Sequence, residues 1–189
     1  MYMRKSKLKI YFNAPITLSF VAICLLALLL SYLTDDKSTI LLFSTYSSSW
    51  FSPMTYVRLI LHVFGHGDLV HLTSNMMYIL LLGPMLEEKY HDKLIYVILF
   101  TAITTGIIHN IIQPNTILLG ASGVVFAFIL LASITGKENG IPITLIIVAA
   151  LYLGQEIYSG ATASDNVSQF THIIGGISGA VLGMFFKAK

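Results

Sequence analysis

Two residues in this chain have the types and surroundings to carry out acyl transfer. Ser122 lies in the string Gly120-Ala121-Ser122-Gly123, and His172 opens the run Thr171-His172-Ile173-Ile174-Gly175-Gly176-Ile177-Ser178-Gly179. A serine hydroxyl is a weak nucleophile until a neighbouring base takes its proton, and histidine is the side chain that most often serves. The flanking glycines permit a tight turn and close approach of a substrate backbone. A helix beginning at Ser122 would turn free N–H groups and the positive end of its dipole toward a developing oxyanion. Each residue also has a plainer reading. The serine could be an N-cap before an apolar helix, and the histidine could be hydrogen-bonded between two helices.

A second group is His62, His66, His71 and Asn75. His71 and Asn75 are one helical turn apart on one face of an otherwise apolar run. Both can donate hydrogen bonds, and converging donors are what a tetrahedral intermediate requires. Three histidines within ten residues also resemble a zinc ligand set. No HExxH string accompanies them, however, and the nearest carboxylate is Asp68.

These residues need elements to position them, and the composition indicates which. Of 189 residues, 56% are hydrophobic and 11% charged, with a mean hydropathy of +0.79. Soluble domains carry about 25% charged residues, so this chain cannot cover a water-facing surface. No basic stripe interleaved with aromatics is present, which excludes a nucleic-acid partner. The apolar residues fall in blocks near the ~20 residues that a membrane crossing takes. Six spans are expected: Asn13–Leu33, Val70–Glu87, Lys93–Ile112, Ser122–Thr135, Ile141–Tyr158 and Phe170–Lys187. The first is read as a retained helix and not a cleaved leader, because no small-x-small site follows it before Asp35. Between the first two spans, residues 34–69 form a long irregular loop. The chain reads as one membrane domain, residues 1–189. Its single cysteine, Cys24, excludes an internal disulfide framework.

The fourth span is too short. Its α-helix would rise only about 20 Å against a hydrocarbon core of about 30 Å. A re-entrant loop must precede it, lining a water-filled cavity with Ser122 at the floor. Alternation of six spans puts nine of the eleven Lys and Arg residues on one side, and the positive-inside rule makes that side, with both termini, cytoplasmic. Gly175 and Gly179 share a face with His172, and Gly123 and Ala127 form a small pair on the fourth span. Seams of small residues let helices approach closely, so the two seams predict packing that brings Ser122 and His172 to similar depth. An intramembrane histidine is a functional hypothesis by default. Every aspartate falls outside the spans, which disfavours an aspartyl protease.

From Tyr56 to Gly179 the sequence resembles the rhomboid family of intramembrane serine proteases. The resemblance rests on HxxxHxxxxHxxxN from His62 to Asn75, GASG at 120–123 and HxxxGxxxG from His172, on the second, fourth and sixth spans. It implies Ser122 as nucleophile and His172 as general base, with no carboxylate member. It implies further that His71, Asn75 and the Ser122 backbone N–H form the oxyanion hole. No cofactor and no metal are implied. The expected substrates are single-span membrane proteins cut in or near their transmembrane segments, within the bilayer of a bacterial-type plasma membrane. Two positions depart from the family pattern. Val57 stands where a tryptophan commonly precedes the arginine, here Arg58, and Phe126 stands where a tyrosine often follows the serine. Glu87, in a GxxxE pattern from Gly83, matches the family's glutamate. An inactive relative or a small transporter is the competing reading. Both reactive residues are retained, and no repeated broken helices are visible.

Overall fold

A computed structural model describes residues 11–134, 141–162 and 167–186. The described residues are helical, with no β-strand. The long helices are α1 (Pro15–Leu33), α4 (Leu69–Tyr90), α5 (Lys93–Ile112), α7 (Ile143–Thr162) and α8 (Val167–Phe185). A shorter helix, α6 (Ser122–Ser133), has 12 residues. Between α1 and α4 the chain forms α2 (Lys37–Leu41), α3 (Pro53–Leu61) and a 3₁₀ turn, His62–Phe64. Among the described residues, α1, α4 and α5 are long and apolar enough to cross a membrane. Their outward faces suit lipid, with Leu25, Leu26, Leu29 and Leu33 of α1 all exposed.

Local chemistry sets these boundaries. Pro15 and Pro53 open α1 and α3, where a missing N–H costs nothing. Asp68 caps α4, its carboxylate accepting the N–H of His71 at 2.7 Å. The start of α1 has no acidic residue of its own. Glu87 of α4 supplies one from a distance, accepting from Ile16 N at 2.8 Å, Thr17 N at 2.9 Å and Thr17 Oγ1 at 2.8 Å. This carboxylate satisfies two of the orphan donors at the helix end and opposes its positive pole. Gly83, one turn earlier, leaves the space: a β-carbon there would come within 2.7 Å of Thr17 Oγ1.

At the centre lies α6, packed by α4, α5, α7 and α8. Gly123, Val124, Val125, Ala127, Phe128, Leu130 and Leu131 are all buried. Its closest partner is α8. A β-carbon on Gly175 would overlap the Gly123 carbonyl and lie 2.7 Å from its Cα, and one on Gly179 would lie 2.6 Å from Ala127 Cα. The two small-residue seams therefore meet backbone to backbone, as the sequence spacing predicts.

Two expectations require correction. Residues 34–69 are not irregular throughout, because α2, α3 and the 3₁₀ turn fall within them. Apolar residues at helical spacing in 53–61 and a proline at their start give α3 the signals of a true helix. Residues 159–169, which the expected spans leave between Tyr158 and Phe170, are helical where described: α7 continues to Thr162 and α8 begins at Val167. The small polar residues of this stretch do not stop a helix once its preceding turns are formed. A helix stands at each of the six positions expected for a span, with ends shifted by a few residues. Thr135 and Lys187 lie outside the described residues.

Candidate active site

The site is assembled from the ends of three helices. Asp68, by capping α4, places His71 in its first turn, and Asn75 follows one turn later on the same face. Asn75 is buried, and its Nδ2 has no hydrogen-bond partner among the described residues. A buried amide donor left unpaired costs roughly 1–3 kcal/mol, which makes it a candidate to receive charge from a bound group. Both side chains reach the turn before α6. A β-carbon on Gly120 would lie 2.8 Å from His71 Nε2 and 4.0 Å from Asn75 Nδ2. Gly120 has φ +122°, a conformation that glycine adopts without strain.

The cap position of α6 is Ala121, so Ser122 is the first helical residue and its hydroxyl is not the cap. Its N–H belongs to the first turn, where no intrahelical acceptor exists. His172 lies on α8, and its ring stacks on Phe126 with centroids 4.5 Å apart and planes inclined at 45°. Ser122, His172, His71 and Asn75 line one cavity of about 400 Å³ together with Ser74, Tyr78, Phe126 and Thr171. All four residues expected from the sequence are thus brought together. Ser74 and Tyr78 were not anticipated, although their helical spacing from His71 and Asn75 is a readable signal.

The other two histidines of the string have structural surroundings. His62 is buried and donates from Nε2 to the Ala102 carbonyl at 3.0 Å. His66 is buried and donates from Nδ1 to the Phe64 carbonyl at 3.1 Å. Burial pushes both imidazoles down to about 4. For His66, the neighbouring His71 adds to the effect, with ring centroids 5.0 Å apart. His66 therefore abuts His71. Among the described residues, no three His, Cys, Asp or Glu side chains converge as metal ligands.

The turn preceding Ser122 is held from outside by the segment after α2. Thr45 and Leu118 exchange two backbone hydrogen bonds, at 2.8 and 2.9 Å, and Asn110 of α5 donates to Thr45 Oγ1 at 3.0 Å. Gly120 N–H donates to the His62 carbonyl at 3.0 Å. Arg58 braces the same segment, donating to Tyr46 OH at 2.6 Å and Ser48 Oγ at 3.0 Å. Its guanidinium also sits 4.2 Å from the Tyr46 ring centroid. Thr45 carries no sequence signal of this role, since its partner is more than seventy residues away.

Comparison with known proteins points the same way. The Rhomboid domain family matches residues 53–189. Rhomboid-related protein 1 of Caenorhabditis elegans is 32% identical over 136 residues, covering 66% of this chain and 37% of that protein. Rhomboid-like protease 3 of Toxoplasma gondii is 31% identical over 100 residues, covering 52% of this chain and 38% of that protein. The chain therefore spans less than two fifths of either relative.

Proposed function

Since the chain belongs to the rhomboid family and is an integral membrane protein, we propose that it is an intramembrane serine endopeptidase. The observation that carries this reading is the single cavity shared by Ser122, His172, His71 and Asn75. In the proposed reaction, His172 takes the proton of Ser122 as Oγ attacks a substrate carbonyl. The tetrahedral oxyanion receives the Asn75 amide, His71 and the Ser122 N–H. Its collapse breaks the peptide bond, with His172 returning the proton to the leaving amine. Water then hydrolyses the acyl-enzyme with His172 acting as base again. The substrates are membrane proteins whose transmembrane segment is presented to Ser122 in extended form. A helical peptide already commits its carbonyls to hydrogen bonds.

The same proposal includes the topology. Six helices, α1, α4, α5, α6, α7 and α8, cross or enter the bilayer, and the turn 113–121 dips in to meet α6. Both termini are cytoplasmic, which places residues 34–68 on the outer side. What supports this is the shortness of α6 together with the distribution of Lys and Arg.

The test is labelling of the detergent-purified protein with a fluorophosphonate. Modification at Ser122, absent in Ser122→Ala and strongly slowed in His172→Ala, is the expected result. It should be accompanied by loss of cleavage of a model transmembrane substrate in both variants. An unlabelled, folded wild-type protein would favour an inactive relative instead.

A further inference from the structure

Behind the reactive cavity, between α5 and α8, is a small void of about 10 Å³ lined by Thr105, Ile108, His109, Gln113, Thr171 and Ile174. Its volume suits one water molecule. Thr171 lines both this void and the larger cavity, so it is the wall between them. The methyls of Thr171 and Thr105 also lie 3.7 and 3.3 Å from where a β-carbon on Gly123 would sit, beside the residue that follows Ser122.

His109 decides what the void should hold. The residue is 4% exposed. Its Nε2 lies 3.2 Å from the Thr116 carbonyl and 3.4 Å from Thr116 Oγ1. The Thr116 hydroxyl proton is directed at the Gln113 carbonyl, 3.1 Å away, so both contacts at Nε2 call for an N–H there. That tautomer leaves Nδ1 as a bare lone pair, and Nδ1 is buried without a partner among the described residues. Thr105 cannot supply the missing proton, because its hydroxyl is directed at the Thr101 carbonyl at 2.7 Å. A buried acceptor in these surroundings calls for a donor that fits the space.

We propose that this void is a binding site for a single internal water. The water donates to His109 Nδ1 and bridges α5 to Thr171 of α8. It thereby fixes the height and rotation of the turn that carries His172, and His109 is a positioning residue. One variant pair separates the two nitrogens. His109→Asn keeps an acceptor near the Nδ1 position and loses the reach to Thr116, whereas His109→Gln keeps a donor near Nε2 and loses the acceptor at Nδ1.

The direct test is a crystal structure at a resolution that shows internal waters. A water within about 3 Å of His109 Nδ1 in the wild type, lost in His109→Gln, is expected. A dry void in a map that resolves other internal waters would overturn the proposal, whatever the activity. The kinetic arm rests on the protease reading above. There, His109→Gln should lower kcat about tenfold with little change in KM, and His109→Asn should stay within about twofold of wild type. The reverse order would assign the effect to the Thr116 contact and overturn the positioning role given to the water.

Discussion

The unpaired Nδ2 of Asn75 carries the sharpest residue-scale expectation. It is buried at the cavity wall with His71 one turn away. If it donates to the oxyanion, Asn75→Ala should reduce kcat by roughly 100- to 1000-fold, with KM nearly unchanged. Steady-state kinetics on a transmembrane substrate checks this, and a rise in KM alone would make Asn75 a substrate-binding or packing residue. The ring contact between Phe126 and His172 gives a second expectation. Phe126→Tyr should keep activity, because the stacked face is preserved. Phe126→Ala should lower kcat by freeing the imidazole, and equal rates for Phe126→Ala and wild type would dismiss the stacking role. The four residues that meet at the cavity were legible as candidates because chemistry restricts such groups to few side-chain types at helical spacing. Asn110, His109 and Thr45 were not. Their roles depend on partners brought close by folding, and as isolated polar residues they look like any others.

At the scale of elements, the helices read well from sequence because an apolar block of membrane-crossing length can satisfy its own backbone in lipid only as a helix. The small-residue seams read well too, since glycine repeated every fourth residue in an apolar helix marks where another backbone comes close. What could not be read was the interior of residues 34–68, where short helices depend on long-range anchors such as Arg58 on Tyr46. The α6–α8 seam yields a direct expectation. A valine at Gly179 must displace the Ala127 backbone, which the glycine already touches. Overpacking of this kind costs on the order of 1–3 kcal/mol or more. Gly179→Val should therefore melt earlier than wild type and lose cleavage together, since the same contact holds His172 near Ser122. Unchanged melting and cleavage would mean that the helices do not meet there.

For the whole molecule, the buried histidines set an acid limit. His62 and His66 titrate at about 4 when folded, against a reference of 6.5. Between these values the unfolded chain binds protons that the folded chain refuses, so stability is complete above about pH 6.5 and falls as pH drops toward 4. Each group can contribute up to roughly 3 kcal/mol over that window. Thermal melts in detergent at pH 7.5, 6 and 4.5 should show a declining midpoint. In His66→Phe, if it folds, the decline should be shallower, and an identical slope would remove His66 from the account. Activity should be indifferent to EDTA, and loss on chelation with recovery on adding zinc would revive a metal role for the histidine string.

The carboxylate of Glu87 on the first turn of α1 joins residues 70 and 71 positions apart in the chain. Synthesis runs from the N-terminus, so α1 enters the bilayer long before its cap exists. Until α4 is made, the amides of Ile16 and Thr17 must rely on water or lipid headgroups. The arrival of Glu87 is thus a checkpoint in biogenesis, when the first helix gains a fixed neighbour. Chains arrested after residue 80 should leave a cysteine introduced at Thr17 open to a water-soluble maleimide. Full-length chains released from the ribosome, in which α4 is complete and Glu87 can reach α1, should protect it.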